Sequence, residues 1–222
     1  MHHADTWIGK LLETLDQAGL AGNTVVVVAA DHGEALGEHG YVGHGRQVYD
    51  EIIRVPFILS WPGRLPAGRT VDVPVGTLDV APTLLKMLDL PTLGEGMDLG
   101  PLMGPGEAPT HYAKRRIFFE TYPGARKRFW RISSPRVSVI PTLAGFREGS
   151  LKFIYDTGDE EGRVYDLASD RGETRDLMAR YSTYQDSGLQ LVQWIEASSK
   201  ANGESTASNE DLERLRSLGY VD

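Results

Sequence analysis

The stretch TVVVVAADHGEALGEHGYVGHG, residues 24–45, decides the fold class of this chain. Its run of four valines at 25–28 is typical of a strand that is buried on both faces, as in parallel sheets. A loop rich in acids, histidines and glycines follows at once. Open α/β sheets bind their ligands beyond the carboxyl ends of such strands, so we expect a functional site in this loop.

The loop contains the side-chain types that bind divalent cations. Its carboxylates and imidazoles belong to Asp31, His32, Glu34, Glu38, His39 and His44. Asp31 and His32 are adjacent, and both reach one cation only if the backbone turns at once, which Gly33 permits. The alternative to a metal site is a solvated surface loop, which is also a common setting for such residues.

The segments on either side of the loop predict an α/β arrangement. Apolar residues from Trp7 to Ala18 recur at helical spacing and predict a helix over 5–18 that covers one face of a sheet. Residues 24–30 and 55–61 read as strands, and Asp79 has the position of an N-cap for a helix over 80–89. This order predicts part of a doubly wound sheet.

A second region follows residues 92–110, which are dense in glycine and proline. We expect a boundary there, with one domain over 1–96 and a small α+β subdomain over 97–222. Short alternating segments predict an antiparallel sheet in the second part, with strands over 117–121, 136–140, 143–147, 151–155 and 163–167. Two apolar stripes predict helices, one through Leu189, Val192 and Ile195, with Leu191 and Trp194 widening it, and one through Leu212, Leu215 and Leu218.

Composition excludes some partners. The net charge of -8 over 222 residues argues against a nucleic-acid ligand. The basic cluster Arg126-Lys127-Arg128 with Arg131 is expected to be a solvated loop rather than a contact to an anionic substrate. No segment has the roughly 20 apolar residues of a membrane helix, and the start of the chain lacks the pattern of a signal peptide. Localisation stays open, because a signal encoded further upstream would not be part of these residues.

The residues of the loop also carry a family resemblance. The run DHGEALGEHGYVGHGRQVYDEIIRVPFILSWPG, residues 31–63, closely resembles the second metal-binding segment of the sulfatase family, a branch of the alkaline phosphatase superfamily. The likeness extends to residues 8–33, to TLDVAPTLLKMLDLP at 77–91, to residues 149–177 and to the final LRSLGYVD. It therefore covers nearly the whole chain, and the fold it implies is a part of an alkaline-phosphatase-like sheet followed by the small subdomain.

The resemblance implies a role for individual residues. Asp31 and His32 match the family's metal ligands. His44, thirteen positions after Asp31, matches a Lys or His that contacts the sulfate, so it is the expected substrate-binding and catalytic residue, a general acid for the leaving oxygen. Glu34, Glu38 and His39 are expected to shape the loop, and Arg54 to form a buried ion pair with an acid of the loop.

The cofactors implied by the family are one divalent metal ion and a formylglycine. The family's metal is typically calcium, whereas a histidine beside an aspartate suits manganese or zinc. Formylglycine is made from the first residue of a C/S-x-P-x-R motif. This chain has no cysteine, and at Ser133-Ser134-Pro135-Arg136 the arginine follows the proline directly, so the spacing fails.

The chain therefore resembles the C-terminal portion of a sulfatase without its nucleophile. We expect an incomplete and inactive metal site for sulfuric ester hydrolysis, with a small sulfate ester or a glycan as the substrate of the family. We also expect the chain to self-associate or to bind the missing N-terminal half. Two alternatives remain open, a phosphodiesterase or phosphonate monoester hydrolase of the same superfamily, and a non-catalytic remnant that acts as a binding or structural module.

Overall fold

The computed structural model describes residues 2–122 and 141–201 of the chain. The helices in these ranges are α1 (His2–Gln17), α2 (Asp50–Ile53), α3 (Val80–Met87), α4 (Gly100–Met103), α5 (Thr110–Ala113) and α6 (Thr183–Ala201). The strands are β1 (Val26–Ala29), β2 (Ala35–Leu36), β3 (Val42–Gly43), β4 (Phe57–Ser60), β5 (Arg116–Thr121), β6 (Leu143–Glu148), β7 (Leu151–Asp156) and β8 (Glu161–Asp166). No helix within the described ranges is both long and apolar enough to cross a membrane.

Strands β1 and β4 pair antiparallel, with Val26 opposite Ser60 and Ala29 opposite Phe57. The valine run and the doubly wound pattern led us to expect parallel strands, and for this pair that expectation is wrong. The physical reason is that the loop between them closes on itself, because Gly33 N donates to Ile52 O at 2.6 Å and the chain leaves the loop at the end where it entered. The valines of β1 are also only partly buried within the described residues, rather than buried on both faces.

Strands β5 to β8 form one antiparallel sheet in chain order, as predicted. In the register of this sheet, Phe118 lies opposite Phe146, which lies opposite Phe153, which in turn lies opposite Val164. The alternation of side chains along each strand directs these apolar residues to one face of the sheet. Four of the five predicted strands of this region are confirmed in this way.

Helix α6 covers that face of the sheet. Val192 and Ile195 are buried against the core that includes Phe146 and Phe153. The predicted stripe is confirmed at these two positions, whereas Leu189 is 51% exposed. Of the two residues expected to widen it, Leu191 is partly buried against the core, whereas Trp194 is 63% exposed. The stripe is therefore narrower than predicted.

Helix α1 forms as predicted, and it begins three residues earlier than the expected start at residue 5. Its apolar side does not lie on a sheet in the described part of the chain, since Trp7 is 57% and Leu11 is 69% exposed. The predicted cover of a sheet face is not present among these residues. The helix therefore presents an apolar surface to solvent.

Asp79 precedes α3 in the N-cap position, as predicted, but its side chain does not cap the helix. The carboxylate is fully buried and accepts hydrogen bonds from Gly76 N at 2.8 Å and from Met97 N at 2.9 Å. Arg115 forms an ion pair with the same carboxylate. Asp79 therefore ties three separate segments together rather than ending one helix.

The residues around the expected domain boundary pack against the first part of the chain. Leu99, Leu102 and Tyr112 form a buried cluster with Phe57 and Val73 beside it. The division into 1–96 and 97–222 stays a prediction. The predicted strand over 136–140, the basic cluster at 126–131 and the stripe through Leu212, Leu215 and Leu218 lie outside the described residues.

Candidate functional site

The loop between β1 and α2 contains a small hairpin. Strands β2 and β3 pair antiparallel, with Ala35 opposite Gly43 and Leu36 opposite Val42. Because Glu34 precedes β2 and His44 follows β3, this register places the two residues at the same end of the hairpin. Residues ten positions apart in the chain are thereby brought together.

Three side chains meet at that end. Potential ligand atoms of His32, Glu34 and His44 all lie within 4.8 Å of one another. The rings of His32 and His44 stack with centroids 4.1 Å apart, and His44 Nδ1 lies 2.8 Å from Glu34 Oε2. All three side chains are exposed, so a ligand can reach them from solvent. We call these residues the histidine cluster.

Each imidazole in the cluster has one ring nitrogen engaged by an acceptor. His32 Nδ1 lies 2.8 Å from Gly33 O, and His44 Nδ1 lies 2.8 Å from Glu34 Oε2. A carbonyl and a carboxylate only accept hydrogen bonds, so each Nδ1 carries the proton and donates. The Nε2 atoms of both rings are therefore the ones available to a metal ion or a substrate.

Asp31 lies at the edge of this cluster rather than inside it. Its side chain is 75% exposed, and its Oδ2 is 3.8 Å from His32 Nε2. The backbone N–H of His32 donates to Asp31 Oδ1 at 2.9 Å. Hydrogen bonds from backbone N–H groups, helped by the nearby His32, lower the pKa of Asp31, which keeps it a carboxylate. Asp31 and His32 are thus close enough to share a cation, but Glu34 is the carboxylate that the structure groups with both histidines.

Gly33 is required at its position by close packing. A Cβ atom there would lie 2.1 Å from the carbonyl oxygen of Glu51. The backbone of Gly33 does not adopt a positive φ, so the close approach, and not a special turn, explains the glycine. This contact, together with the Gly33 N to Ile52 O hydrogen bond, fixes the base of the loop.

The other predicted loop residues shape the rim. Glu38 Oε2 accepts a hydrogen bond from Leu36 N at 2.6 Å. His39 has a left-handed backbone with φ of 50°, stacks on Tyr49 with ring centroids 3.6 Å apart and bonds Glu51 Oε1 at 2.8 Å. Both residues therefore hold the shape of the loop, as the resemblance implied, while Glu34 points into the histidine cluster.

The backbone that carries His44 is anchored on both sides. The hydroxyl of Tyr41 donates to His44 O at 2.8 Å, and the hydroxyl of Thr121 donates to Gly45 O at 2.9 Å. Thr121 belongs to β5, so the sheet supports the position of His44 directly. These two hydrogen bonds restrict the backbone that carries the ring of His44.

A buried ion network joins the loop to the sheet, and sequence reasoning missed it. Lys152 is fully buried in β7, with its Nζ 3.0 Å from Asp50 Oδ1 and 2.7 Å from Glu173 Oε1. Glu173 Oε2 also accepts a hydrogen bond from Asp50 N at 2.6 Å. The available signal was Lys152 itself, because it shares a strand face with the apolar Ile154, and a lysine on a buried face needs a counter-charge.

Among residues 2–122 and 141–201, Arg54 does not form the buried ion pair that was predicted for it. Its side chain is exposed, and the acid of α2 that has a buried partner is Asp50, which pairs with Lys152. The prediction is wrong because a charged partner from β7, more than 90 residues away, already occupies the interior. Arg54 follows α2 and points to the surface instead.

Comparisons with known proteins point to one family. Residues 1–90 match the family model described as Sulfatase. An N-acetylglucosamine-6-O-sulfatase of Bacteroides thetaiotaomicron is 29% identical over 205 residues, which are 89% of this chain and 34% of that protein. An ulvan-active sulfatase of Formosa agariphila is 42% identical over 103 residues, 45% of this chain and 20% of that protein. The chain thus spans about a third or less of the length of these relatives.

Solved structures agree with the sequence comparisons. A protein solved with its substrate D-glucosamine-2-N,6-O-disulfate is 28% identical, with a TM-score of 0.68 over 90% of this chain and 40% of that one. A phosphonate monoester hydrolase of Agrobacterium radiobacter is 25% identical, with a TM-score of 0.65 over 87% of this chain and 39% of that one. These likenesses confirm the predicted fold class, part of an alkaline-phosphatase-like α/β fold with a small antiparallel sheet.

Proposed function

Because this chain belongs to the sulfatase family, we propose that its loop over 31–44 forms one side of a divalent-metal site for sulfuric ester hydrolysis. The observation that carries the proposal is the convergence of His32, Glu34 and His44 within 4.8 Å on the segment that matches the family. Imidazole and carboxylate groups that meet on an exposed loop can hold a divalent cation and place a further imidazole beside it.

The family implies a divalent metal ion, and the residues here fit one. We propose Asp31 and His32 as ligands, with Glu34 near enough to add a third. The Nε2 atom of His32 is free to ligate, because Nδ1 is engaged by Gly33 O. Calcium is the typical ion of the family, but imidazole donors favour manganese or zinc over calcium. A bound ion would act as a Lewis acid on an ester oxygen.

His44 is proposed as the residue that contacts the ester group. Its Nδ1 proton is held by Glu34, so the Nε2 atom faces the ligand side. When protonated, Nε2 can donate its proton to the leaving oxygen as the bond from sulfur to that oxygen breaks. The anchoring of the His44 backbone by Tyr41 and Thr121 keeps this geometry in place.

The 222 residues lack the other half of the expected chemistry. They contain no cysteine, and the pattern S-x-P-x-R occurs once, at Ser60-Trp61-Pro62-Gly63-Arg64. Ser60 ends β4 and pairs with Val26, at the end of the strand pair that is farther from the loop over 31–44, so we propose that it is not the formylglycine precursor. We propose that this polypeptide alone does not turn over sulfate esters. We also propose the division into 1–96 and 97–222, in which the first part carries the metal loop.

The proposed substrate class is a sulfated sugar, glycan or other small sulfate ester. Support comes from relatives that are named for N-acetylglucosamine 6-O-sulfate and for ulvan. A partner chain is a further proposal, either a second copy or the missing N-terminal half. It is supported by the exposed apolar side of α1, and sedimentation that shows a monomer without apolar dye binding would contradict it.

The experiment has two parts. Calorimetric titration of the chain with Mn²⁺, Zn²⁺ and Ca²⁺ is expected to show one site, which His32→Ala removes. Hydrolysis of aryl sulfates by the same sample is expected to be absent in every metal. Absence of metal binding contradicts the proposed site, and turnover that Asp31→Ala abolishes would mean that a nucleophile is present in this chain.

A phosphonate or phosphate ester hydrolase is the second candidate. It is supported by the 25% identity and TM-score of 0.65 to a phosphonate monoester hydrolase. The sulfatase assignment is favoured because sulfatases dominate the relatives, including two with more than 35% identity over about 45% of this chain. A parallel titration with aryl phosphonates and aryl sulfates distinguishes the two by which ligand the metal-loaded chain prefers. A chain that binds neither is a non-catalytic remnant.

A further inference from the structure

A cavity of about 250 Å³ lies where the loop after His44 meets the antiparallel sheet. The loop contributes Arg46 and Tyr49 to its walls, and β8 contributes Arg163. Arg46 comes two residues after His44, so the backbones of these residues are at most about 7 Å apart. The residue Arg46 in the cavity wall is therefore close to His44, the residue proposed to contact the ester group.

The charge of the cavity is set by its two arginines. Among the described residues, neither guanidinium has a carboxylate within ion-pair distance, although Asp156 also lines the cavity. Asp156 Oδ1 instead accepts a hydrogen bond from Gly158 N at 2.9 Å, in the turn between β7 and β8. The cavity wall therefore contains two guanidinium groups and one carboxylate, and that carboxylate is hydrogen-bonded within the β7–β8 turn.

The environment of Arg163 keeps it charged. Burial acts to lower the pKa of Arg163, but hydrogen bonding to Tyr49 and the nearby Tyr165 and Asp156 outweigh that effect, and the pKa is raised. Buried Leu143 and Ile154 form apolar parts of the wall. An anion that enters beside them would be screened less by water and attracted more strongly.

We infer that this cavity binds a second anionic group of the substrate, a sulfate or carboxylate carried by the same sugar or its neighbour, while the ester sulfate lies at His44. Guanidinium groups match the oxygens of sulfate and carboxylate with paired hydrogen bonds, and the cavity has one from the loop, Arg46, and one from β8, Arg163. The inference rests on the proposed function and narrows its substrate class to sugars with more than one anionic group.

The test compares two ligands that differ by one anionic group. The full 222-residue chain, in the presence of chelator, is titrated with glucosamine N,6-disulfate and with N-acetylglucosamine 6-sulfate, and the arginine Nε–Hε signals are followed by NMR. We expect the disulfated sugar to bind about tenfold more tightly and to shift the signals of Arg46 and Arg163. Arg46→Gln is expected to remove the preference and to leave the monosulfated affinity unchanged.

Controls address folding and position. Arg54→Gln changes an exposed arginine of the same loop region outside the cavity and is expected to keep the tenfold preference. Because Arg163 is partly buried, Arg163→Lys is used beside Arg163→Gln, and it is expected to retain part of the preference. Thermal unfolding of each variant reports whether it folds.

The outcomes separate this inference from the proposed function. An undiminished preference in Arg46→Gln, or inorganic sulfate that binds at Arg46 as tightly as the disulfated sugar, overturns the assignment to a sugar-borne anion. The sugar titration is run in chelator, so its result does not depend on the metal site. An Arg46-dependent preference, together with a calorimetric titration that finds no metal binding at the histidine cluster, contradicts the metal site alone. Metal binding without that preference contradicts the present inference alone.

Discussion

The Nδ1 atom of His44 lies 2.8 Å from the Oε2 atom of Glu34, across the open end of the β2–β3 hairpin. The carboxylate fixes which ring nitrogen carries the proton, and it directs Nε2 toward the ligand side. Outer partners of this kind orient the ring of a histidine and affect how strongly its free nitrogen binds a ligand. Glu34 is therefore important whether it contacts the ion itself or only orients His44.

Removal of the Glu34 side chain should weaken metal binding. We expect Glu34→Ala to lower the affinity for Zn²⁺ or Mn²⁺ by about 10- to 100-fold, and Glu34→Gln by less, since an amide keeps a hydrogen-bond acceptor but loses the charge. Competition with a fluorescent chelator measures this. Glu95→Gln, at an exposed glutamate outside the loop, is the matched control. Equal affinities of Glu34→Ala and the parent would show that Glu34 has no part in the site.

Substitution of Gly33 should open the base of the loop. A Cβ atom would lie 2.1 Å from Glu51 O, so Gly33→Ala forces the two backbones apart and disrupts the Gly33 N to Ile52 O hydrogen bond. We expect a loss of about 1–3 kcal/mol in the free energy of unfolding, together with weaker metal binding. Urea unfolding measures the first effect. Gly22→Ala, where nothing lies within 4 Å of the added methyl group, should leave both quantities unchanged.

The sequence predicts the elements of this chain better than their pairing. Strands β5 to β8 are found where alternation of apolar residues placed them, because period-two patterning is a local signal. The antiparallel pairing of β1 with β4 was missed, since a valine run is compatible with either direction and the deciding contact, Gly33 N to Ile52 O, joins residues far apart in the chain.

For the candidate site, too, the sequence predicts individual residues better than the contacts between them. His32 and His44 follow from the loop pattern and the family resemblance, whereas the pairing of Glu34 with His44 depends on the β2–β3 register, which two-residue strands do not reveal in a sequence. The ion pairs of Lys152 were missed for a similar reason. Its partners Asp50 and Glu173 come from segments about 100 and 20 residues away, and only folding brings them together.

Loss of the Lys152 charge should destabilise the whole chain. Lys152→Met leaves the buried Glu173 and the adjacent Asp50 without their cation, and we expect the free energy of unfolding to fall by about 3–5 kcal/mol. Lys86→Met, at an exposed lysine, should change it by less than about 0.5 kcal/mol. In the double variant Lys152→Met/Glu173→Leu, part of the loss should return. A single variant as stable as the parent would mean that the network contributes nothing to folding.

Glu173 should contribute to the free energy of unfolding, and this contribution should decrease as the pH rises. Burial raises the pKa of Glu173, against the opposing effect of Lys152. The folded state therefore binds a proton at Glu173 more readily than the unfolded chain does. This contribution is fully present below the ordinary glutamate pKa of about 4.3, and it is lost as the pH rises through the higher folded-state pKa.

Comparison with Glu173→Gln isolates that term, because glutamine stays neutral at every pH. We expect the free energy of unfolding of the parent, minus that of Glu173→Gln, to decrease from about pH 4 upward and to level off above the folded-state pKa. Urea unfolding across this range measures the difference. Glu107→Gln, at an exposed position, controls for the loss of one carboxylate. A difference that instead increases with pH would mean that the attraction to Lys152 outweighs burial, and that Glu173 is held as a carboxylate in the folded protein.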